Sequence, residues 1–134
     1  MNHIYREFFP LQQSTPGKIR SRIGSFAPLL ESATDAMKMA ASEMTAAFLR
    51  YGRADGFVFR LFAGDEAFRV EMIDSLLTEQ QLSSPQDQEG LLRLSILNAA
   101  TDRWGILGNG VSVVWFEVLR AGRAVAVWAR EGEA

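Results

Sequence analysis

The chain has 134 residues, 48% of them hydrophobic and 22% charged, with a formal net charge of -2 at pH 7, which is typical of one soluble domain spanning residues 1–134. The near-neutral charge, without a dense run of Lys or Arg, argues against a nucleic-acid groove. One histidine and no cysteine exclude a zinc site, a histidine-based triad and disulfides. The sequence shows no signal peptide and no apolar run of about 18 residues, so we expect a cytoplasmic protein that does not enter a membrane.

The first predicted elements are a strand and a helix. Residues 5–9 form a short apolar strand that Pro10 closes. Residues 14–16, Ser-Thr-Pro, supply an N-cap and a proline at the first helical position, and the apolar positions after them repeat with helical spacing. Pro28 is expected to end this helix.

A second, longer helix is predicted to start near Ser32 and Asp35, which resemble a capping box, and to stop at Gly52. Its buried stripe repeats at spacings of four and three residues: Met37, Ala41, Met44, Phe48 and Tyr51. Glu43 lies about 100° around the helix from this stripe, in a row of alanines. We expect that row to be an open face, with Glu43 either a functional acid or a solvated boundary residue.

The pattern then changes to a period of two residues. Residues 56–74, GFVFRLFAGDEAFRVEMID, predict two strands joined by a turn at residues 64–66. Three apolar positions of the second strand face the core, and the next position on that side is Asp74. An inward carboxylate needs a hydrogen-bond donor, such as an amino group of a ligand; the alternative is a turn or cap role together with Ser75.

The rest of the chain predicts a long connection, a helix and further strands. Residues 76–90 are rich in Gln, Ser and Glu and read as a loop of the kind that forms functional lids. A helix over residues 90–101 follows, then two strands around a glycine turn at 108–110, and finally a strand over residues 123–129. The predicted fold class is an α+β two-layer sandwich, a mostly antiparallel mixed sheet with three helices on one face.

Three stretches in this order resemble a known family: ASEMTAAFLRYG (41–52), FRVEMIDS (68–75) and ATDRWGILGNGVSVVWFEV (100–118). They are similar to segments of bacterial anti-sigma regulatory factors, the serine-protein kinase branch of the GHKL ATPase superfamily, and the similarity extends over about residues 4–119. This resemblance implies the histidine kinase-like ATPase fold, ATP binding and a role in transcription regulation.

The resemblance also implies roles for individual residues. Glu43 matches the general base that polarises the attacking hydroxyl or water, and Asp74, followed by Ser75, matches the carboxylate that reads the adenine ring. Ala47 replaces the asparagine that holds magnesium in the family, and Gly90 is what remains of a Gly-x-Gly cradle for the phosphates. The candidate site is therefore Glu43 as a vestigial general base and Asp74, Ser75, Ala47 and Gly90 as cofactor-binding positions, with no metal ligand.

These departures favour a pseudokinase, a degenerate anti-sigma-like regulator that binds a sigma factor or an anti-anti-sigma type partner. ATP is then bound weakly, without magnesium, or not at all. One alternative is an active ATP-dependent serine-protein kinase that uses Glu43, with Glu79 or Asp87 as substitute metal ligands. The other is a small-ligand binder or accessory subunit on the same fold. The strand at 123–129 is expected to pack with Trp128 covered by a helix or, in a homodimer, by a second subunit.

Overall fold

The computed structural model of the protein describes residues 1–51, 55–74, 88–107 and 112–120. The order of elements agrees with the prediction, with one additional short helix. The elements are β1 (Asn2–Pro10), α1 (Thr15–Gly24), α2 (Ala27–Leu30), α3 (Thr34–Tyr51), β2 (Gly56–Ala63), β3 (Ala67–Asp74), α4 (Gln88–Ala100), β4 (Arg103–Leu107) and β5 (Ser112–Leu119). Most of the predicted lid and the strand at 123–129 lie outside the described residues.

The sheet has the order β1-β2-β3-β5-β4. Each of its four described pairings is antiparallel, so this part of the sheet is antiparallel throughout and not mixed. The helix α3 packs against both α1 and α4, and these helices cover one face of the sheet. The predicted α+β two-layer sandwich is thereby confirmed.

The core lies between the helices and the inner face of the sheet. Alternate residues of each strand point inward because side chains alternate along a strand. The largest fully buried side chains include five phenylalanines: Phe48, Phe57, Phe59, Phe68 and Phe116. The ring of Phe48 on α3 lies 4.9 Å from that of Phe57 on β2, measured between centroids. Each fully buried phenylalanine stabilises the folded state by about 1.5–3 kcal/mol, so this cluster fixes α3 on the sheet.

The outer face of the sheet carries a ladder of alternating charges. The carboxylate of Glu71 accepts from Arg60 at 2.5 Å and from Arg69 at 2.9 Å. Glu117 contacts Arg69 at 3.3 Å and Arg103 at 2.8 Å. These side chains belong to neighbouring strands, so the ladder joins β2, β3, β5 and β4 across the face that no described helix covers.

The C-terminal Asp-Arg-Trp-Gly segment has a structural role in this fold. Asp102 Oδ2 accepts the backbone N–H of Leu119 at 2.7 Å and so connects the start of β4 to the end of β5. Gly105 lies directly opposite Trp115, and a Cβ at Gly105 would come within 3.2 Å of the indole. A side chain at this position would have to displace the tryptophan by a few tenths of an ångström, so glycine fits the close approach of the indole to β4.

Two predicted helix boundaries are wrong. Pro28 does not end the first helix, because α1 already stops at Gly24 and Pro28 lies in the first turn of α2, where a proline costs no hydrogen bond. The Ser32–Asp35 capping box does not form, since Ser32 lies in a 3-10 turn over residues 31–33 and α3 starts at Thr34. The hairpin is confirmed, with Gly64 N–H donating to the Ala67 carbonyl at 2.9 Å across the turn.

Candidate functional site

Glu43 lies in the middle of α3 at the boundary between buried and exposed positions. Its side chain is partly exposed and lines an open pocket of about 290 Å³ between α1 and α3. The other lining residues are Arg20, Asp35, Lys38, Met39 and Ser42. Among the described residues none makes a hydrogen bond or an ion pair with the Glu43 carboxylate, so this acid is available to a ligand or to water.

The pocket beside Glu43 is mixed in charge. Arg20 Nη1 donates to Ser42 Oγ at 2.5 Å and thereby joins α1 to α3 next to the glutamate. Lys38 lies against α1, where a Cβ at Gly24 would come within 3.1 Å of its Cε atom. Two cations therefore stand near two acids, Asp35 and Glu43. In the described part of the chain no group of three or more His, Asp or Glu side chains is placed to hold a metal ion.

Ala47 lies one helical turn after Glu43 but in a different environment. Its exposed fraction is 0%, and so is that of Ala40 on the preceding turns. Both alanines belong to the buried cluster that includes Leu97 of α4. The expectation of an open alanine face around Glu43 is therefore wrong, because the two alanines that flank Glu43 in this row are part of the packed core.

Asp74 is the last residue of β3, and its backbone pairs with Ser112 of β5. The preceding inward positions of β3, Phe68, Val70 and Met72, are at most 2% exposed, as the alternation predicts. The side chain of Asp74 and the whole of Ser75 lie outside the described residues. Their assignment to an adenine-reading site stays a prediction.

Gly90 is the third residue of α4 and is buried. It is thus already part of a helix, while the predicted phosphate cradle would require a glycine-rich loop. The two residues after it, Leu91 and Leu92, are 55% and 60% exposed, and Arg93 is only 3% exposed. The structure therefore gives the candidate Gly90 a place at the start of α4, and its role toward a phosphate stays a prediction.

A second pocket escaped the sequence analysis. It has a volume of about 620 Å³ and lies between the edge strand β1 and helix α1. Glu7 of β1 contacts Arg22 Nε of α1 at 2.8 Å and accepts a hydrogen bond from Tyr5 Oη at 2.5 Å. This hydrogen bond, more than burial, raises the pKa of the Tyr5 phenol. The sequence signal for this pocket was the composition of α1, which has three cations and no acid.

Comparisons with known proteins identify the fold. No protein-family model matches the chain, and no curated protein matches it. Among solved structures, the RsbU and RsbW domains of Rv1364c from Mycobacterium tuberculosis superpose on 87% of the chain with a TM-score of 0.61 and 18% identity. The chain spans 33% of the length of that structure.

The Acinetobacter baumannii histidine kinase AdeS also matches, over 88% of the chain and 68% of its own length, with a TM-score of 0.50 and 13% identity. At such identities the likeness concerns the fold. None of the described helices is long and apolar enough to span a membrane. The arrangement of three helices over an antiparallel sheet is the fold of the histidine kinase-like (GHKL) ATPases.

Proposed function

We propose that this chain is a regulatory protein that uses the GHKL ATPase fold to bind a protein partner, of the sigma-factor or anti-anti-sigma type, without phosphoryl transfer. The comparison with an RsbW domain supports a protein partner in a regulatory system. The observation that supports the absence of phosphoryl transfer is the environment of Ala47, which is 0% exposed and whose side chain has no oxygen to offer a cation.

The donor set at this position does not fit magnesium. In the family that the sequence resembles, the residue one turn after the general base holds the ion that bridges the phosphates. Mg²⁺ requires oxygen ligands in near-octahedral geometry, and an alanine methyl group supplies none. Because Ala47 is packed inside the core, a metal ion also could not approach its backbone without disrupting α3. Magnesium-dependent catalysis therefore has no support from this turn of the helix.

The test is a titration with ATP in the presence and absence of magnesium. Trp104 and Trp115 lie on β4 and β5 and provide the fluorescence signal. We expect binding to be weak or absent and not to improve with magnesium, because the phosphates lack a metal and a glycine cradle. Micromolar affinity that depends on magnesium would refute the proposal.

A second assay tests for the chemistry itself. The purified chain is incubated with γ-labelled ATP, magnesium and a candidate partner, such as a purified anti-anti-sigma protein from the same organism as this chain. The partner is then examined for transferred label. We expect a stable complex by size-exclusion chromatography and no transfer. A complex with efficient transfer would establish an enzyme, while the absence of any complex with sigma or anti-anti-sigma proteins would contradict the proposed partner class.

The second candidate function is an ATP-dependent serine-protein kinase, and one observation favours it. Glu43 is partly exposed beside an open pocket that also contains Arg20 and Lys38. A carboxylate in such a setting can accept a proton from a hydroxyl while the cations attract a phosphate. If this function is correct, Glu43→Gln must lower a measurable transfer rate by orders of magnitude.

A further inference from the structure

The pocket between β1 and α1, called here the β1–α1 groove, combines an open strand edge with a cationic wall. Its lining includes Glu7 and Phe8 of β1 and Lys18, Ser21 and Arg22 of α1. The pocket beside Glu43 lies between α1 and α3 and shares none of these residues. The groove is thus a separate surface from the pocket beside Glu43.

The floor of the groove is β1, the edge strand of the described sheet. Among the described strands β1 pairs with β2 alone, so its other side has no strand partner. Leu11 N–H donates to the Asp55 carbonyl at 2.9 Å, and antiparallel pairs alternate between bonded and non-bonded positions. The backbone groups of Phe9 and Glu7 therefore point to β2, and those of Phe8 and Arg6 point out of the sheet. These groups can form hydrogen bonds with an added strand.

The wall of the groove is positively charged. Helix α1 contributes Lys18 and Arg22 to the lining and no acid, while its third cation, Arg20, makes its hydrogen bond to α3 outside the groove. The carboxylate of Glu7 contacts Arg22 at 2.8 Å and neutralises that guanidinium, so the unbalanced positive charge of the wall is that of Lys18. Lys18 is exposed, and its contact within the described residues is a hydrogen bond of 3.4 Å with Gln12 Oε1. The ammonium of Lys18 is therefore the cation with the weakest internal interaction on this wall.

We propose that the β1–α1 groove binds an extended acidic segment of a protein partner, which adds to the edge of β1 as a further strand. This inference rests on the proposed function, since it names the surface that would hold the partner. Side chains of an added strand alternate in direction. Those that face α1 would be acidic and meet Lys18 and the hydroxyl of Ser21, while the others would lie beside Phe8, which is 57% exposed.

A second copy of this chain fits the groove less well. Pairing of two β1 edges around a two-fold axis would bring two copies of α1 to the same side of the extended sheet. Each copy would bring its exposed Lys18 to that interface, and α1 has no acid to pair with it. Like charges facing each other across an interface are unfavourable, and an acidic partner removes this repulsion. Charge complementarity therefore selects an acidic segment from another protein.

The test measures fluorescence anisotropy of a labelled hexapeptide of alternating valine and glutamate, titrated with the intact chain. We expect binding, and we expect Lys18→Glu to weaken it at least about tenfold through loss of an ion pair and a new repulsion. Arg20→Glu is the matched control. It makes the same charge change on the same helix, but Arg20 contacts Ser42 of α3 outside the groove, so affinity should change by less than about twofold.

Two further peptides test the mode of binding. A hexapeptide of alternating valine and lysine should not bind, because its charge matches that of α1. The valine–glutamate peptide with alternate backbone amides N-methylated should also lose binding, since an added strand needs those N–H groups. Binding of either peptide as tight as that of the parent would overturn the inference. So would a homodimer in sedimentation analysis that the acidic peptide cannot dissociate.

The failure of this inference can be distinguished from the failure of the proposed function. If the Lys18→Glu chain keeps full affinity for a sigma or anti-anti-sigma type protein, the groove is not the docking surface, but the regulatory function stands. If the intact chain transfers phosphoryl groups from ATP, the proposed function fails whatever the peptides show. Circular dichroism of both variants checks that an altered affinity does not come from unfolding.

Discussion

Glu43 and Ala47 lie one turn apart on α3, yet one is at an open pocket and the other is inside the core. The carboxylate of Glu43 is partly exposed between α1 and α3, while Ala47 is 0% exposed and belongs to the same buried cluster as Leu97 of α4. Metal-assisted phosphoryl transfer requires both positions to face one ligand. On this helix the position proposed for a general base is accessible, and the position proposed for a metal ligand is part of the packing.

This contrast divides α3 into a buried side and a side that faces solvent. Its inner side is anchored by Phe48, Met44 and Met37, all 0% exposed, and its outer side carries polar residues around a small pocket. Substitutions on the two sides should therefore have very different effects on stability and on nucleotide binding.

Phe48→Ala should cause the largest loss of stability. The phenyl ring is fully buried and lies 4.9 Å from that of Phe57, so its removal leaves a cavity between α3 and the sheet. We expect the free energy of unfolding to fall by about 3–5 kcal/mol, measured by urea denaturation with circular dichroism. Met39→Ala is the control, because Met39 is 52% exposed on the same helix and its loss should cost less than about 0.5 kcal/mol. Equal effects would show that α3 is not anchored as described.

The outcome for α3 illustrates what sequence could and could not predict. The stripe of residues at spacings of three and four was correct in the positions that the structure describes, because helix periodicity is a local property: Met37, Ala41, Met44 and Phe48 are all 0% exposed. The burial of Ala40 and Ala47 was missed. Alanine is compatible with both solvent and core, so their burial is decided by packing that involves a helix more than forty residues later in the chain.

The hairpin could be predicted from local sequence, whereas the groove could not. The turn at Gly64 and the alternation in β2 and β3 are encoded in adjacent residues, and the predicted strands matched the structure. The β1–α1 groove depends on β1 lying at the edge of the sheet, which follows from strand order and not from any residue of β1. Likewise, the charge ladder required the register that places Glu117 beside Arg69.

Glu117→Gln should have the second largest effect. The Glu117 residue is 8% exposed, and its carboxylate contacts two arginines, Arg69 and Arg103. Neutralising it leaves the partly buried guanidinium of Arg69 with less charge compensation. We expect a loss of about 1–3 kcal/mol in unfolding experiments, the usual cost of removing one partner from a buried charged hydrogen bond. A variant as stable as the original chain would mean that the ladder is already solvated.

Ala47→Asn tests the buried side of α3 at the position that the proposed function treats as a lost metal ligand. The longer amide side chain must enter a packed core that offers no space, so we expect a loss of about 1–3 kcal/mol. It should not create magnesium-dependent ATP binding, because the amide oxygen cannot reach an ion without disturbing α3. Ala46→Asn is the matched control: Ala46 is partly exposed, and the same substitution there should cost less than about 1 kcal/mol. Restored magnesium-dependent binding with unchanged stability would contradict the buried placement of Ala47.

Glu43→Gln should have the smallest effect. The carboxylate is partly exposed, and no hydrogen bond or ion pair to it is found within the described residues, so the loss of its charge removes little stabilising interaction. We expect the free energy of unfolding to change by no more than about 1 kcal/mol and the affinity for the protein partner to stay the same. The two measurements are urea denaturation and partner binding by calorimetry, with Glu117→Gln as the reference for a carboxylate that holds the fold. Partner binding that weakens at least about tenfold would instead place Glu43 in the interface with the partner. The difference between the two sides of α3 would then be one of partner binding against core packing.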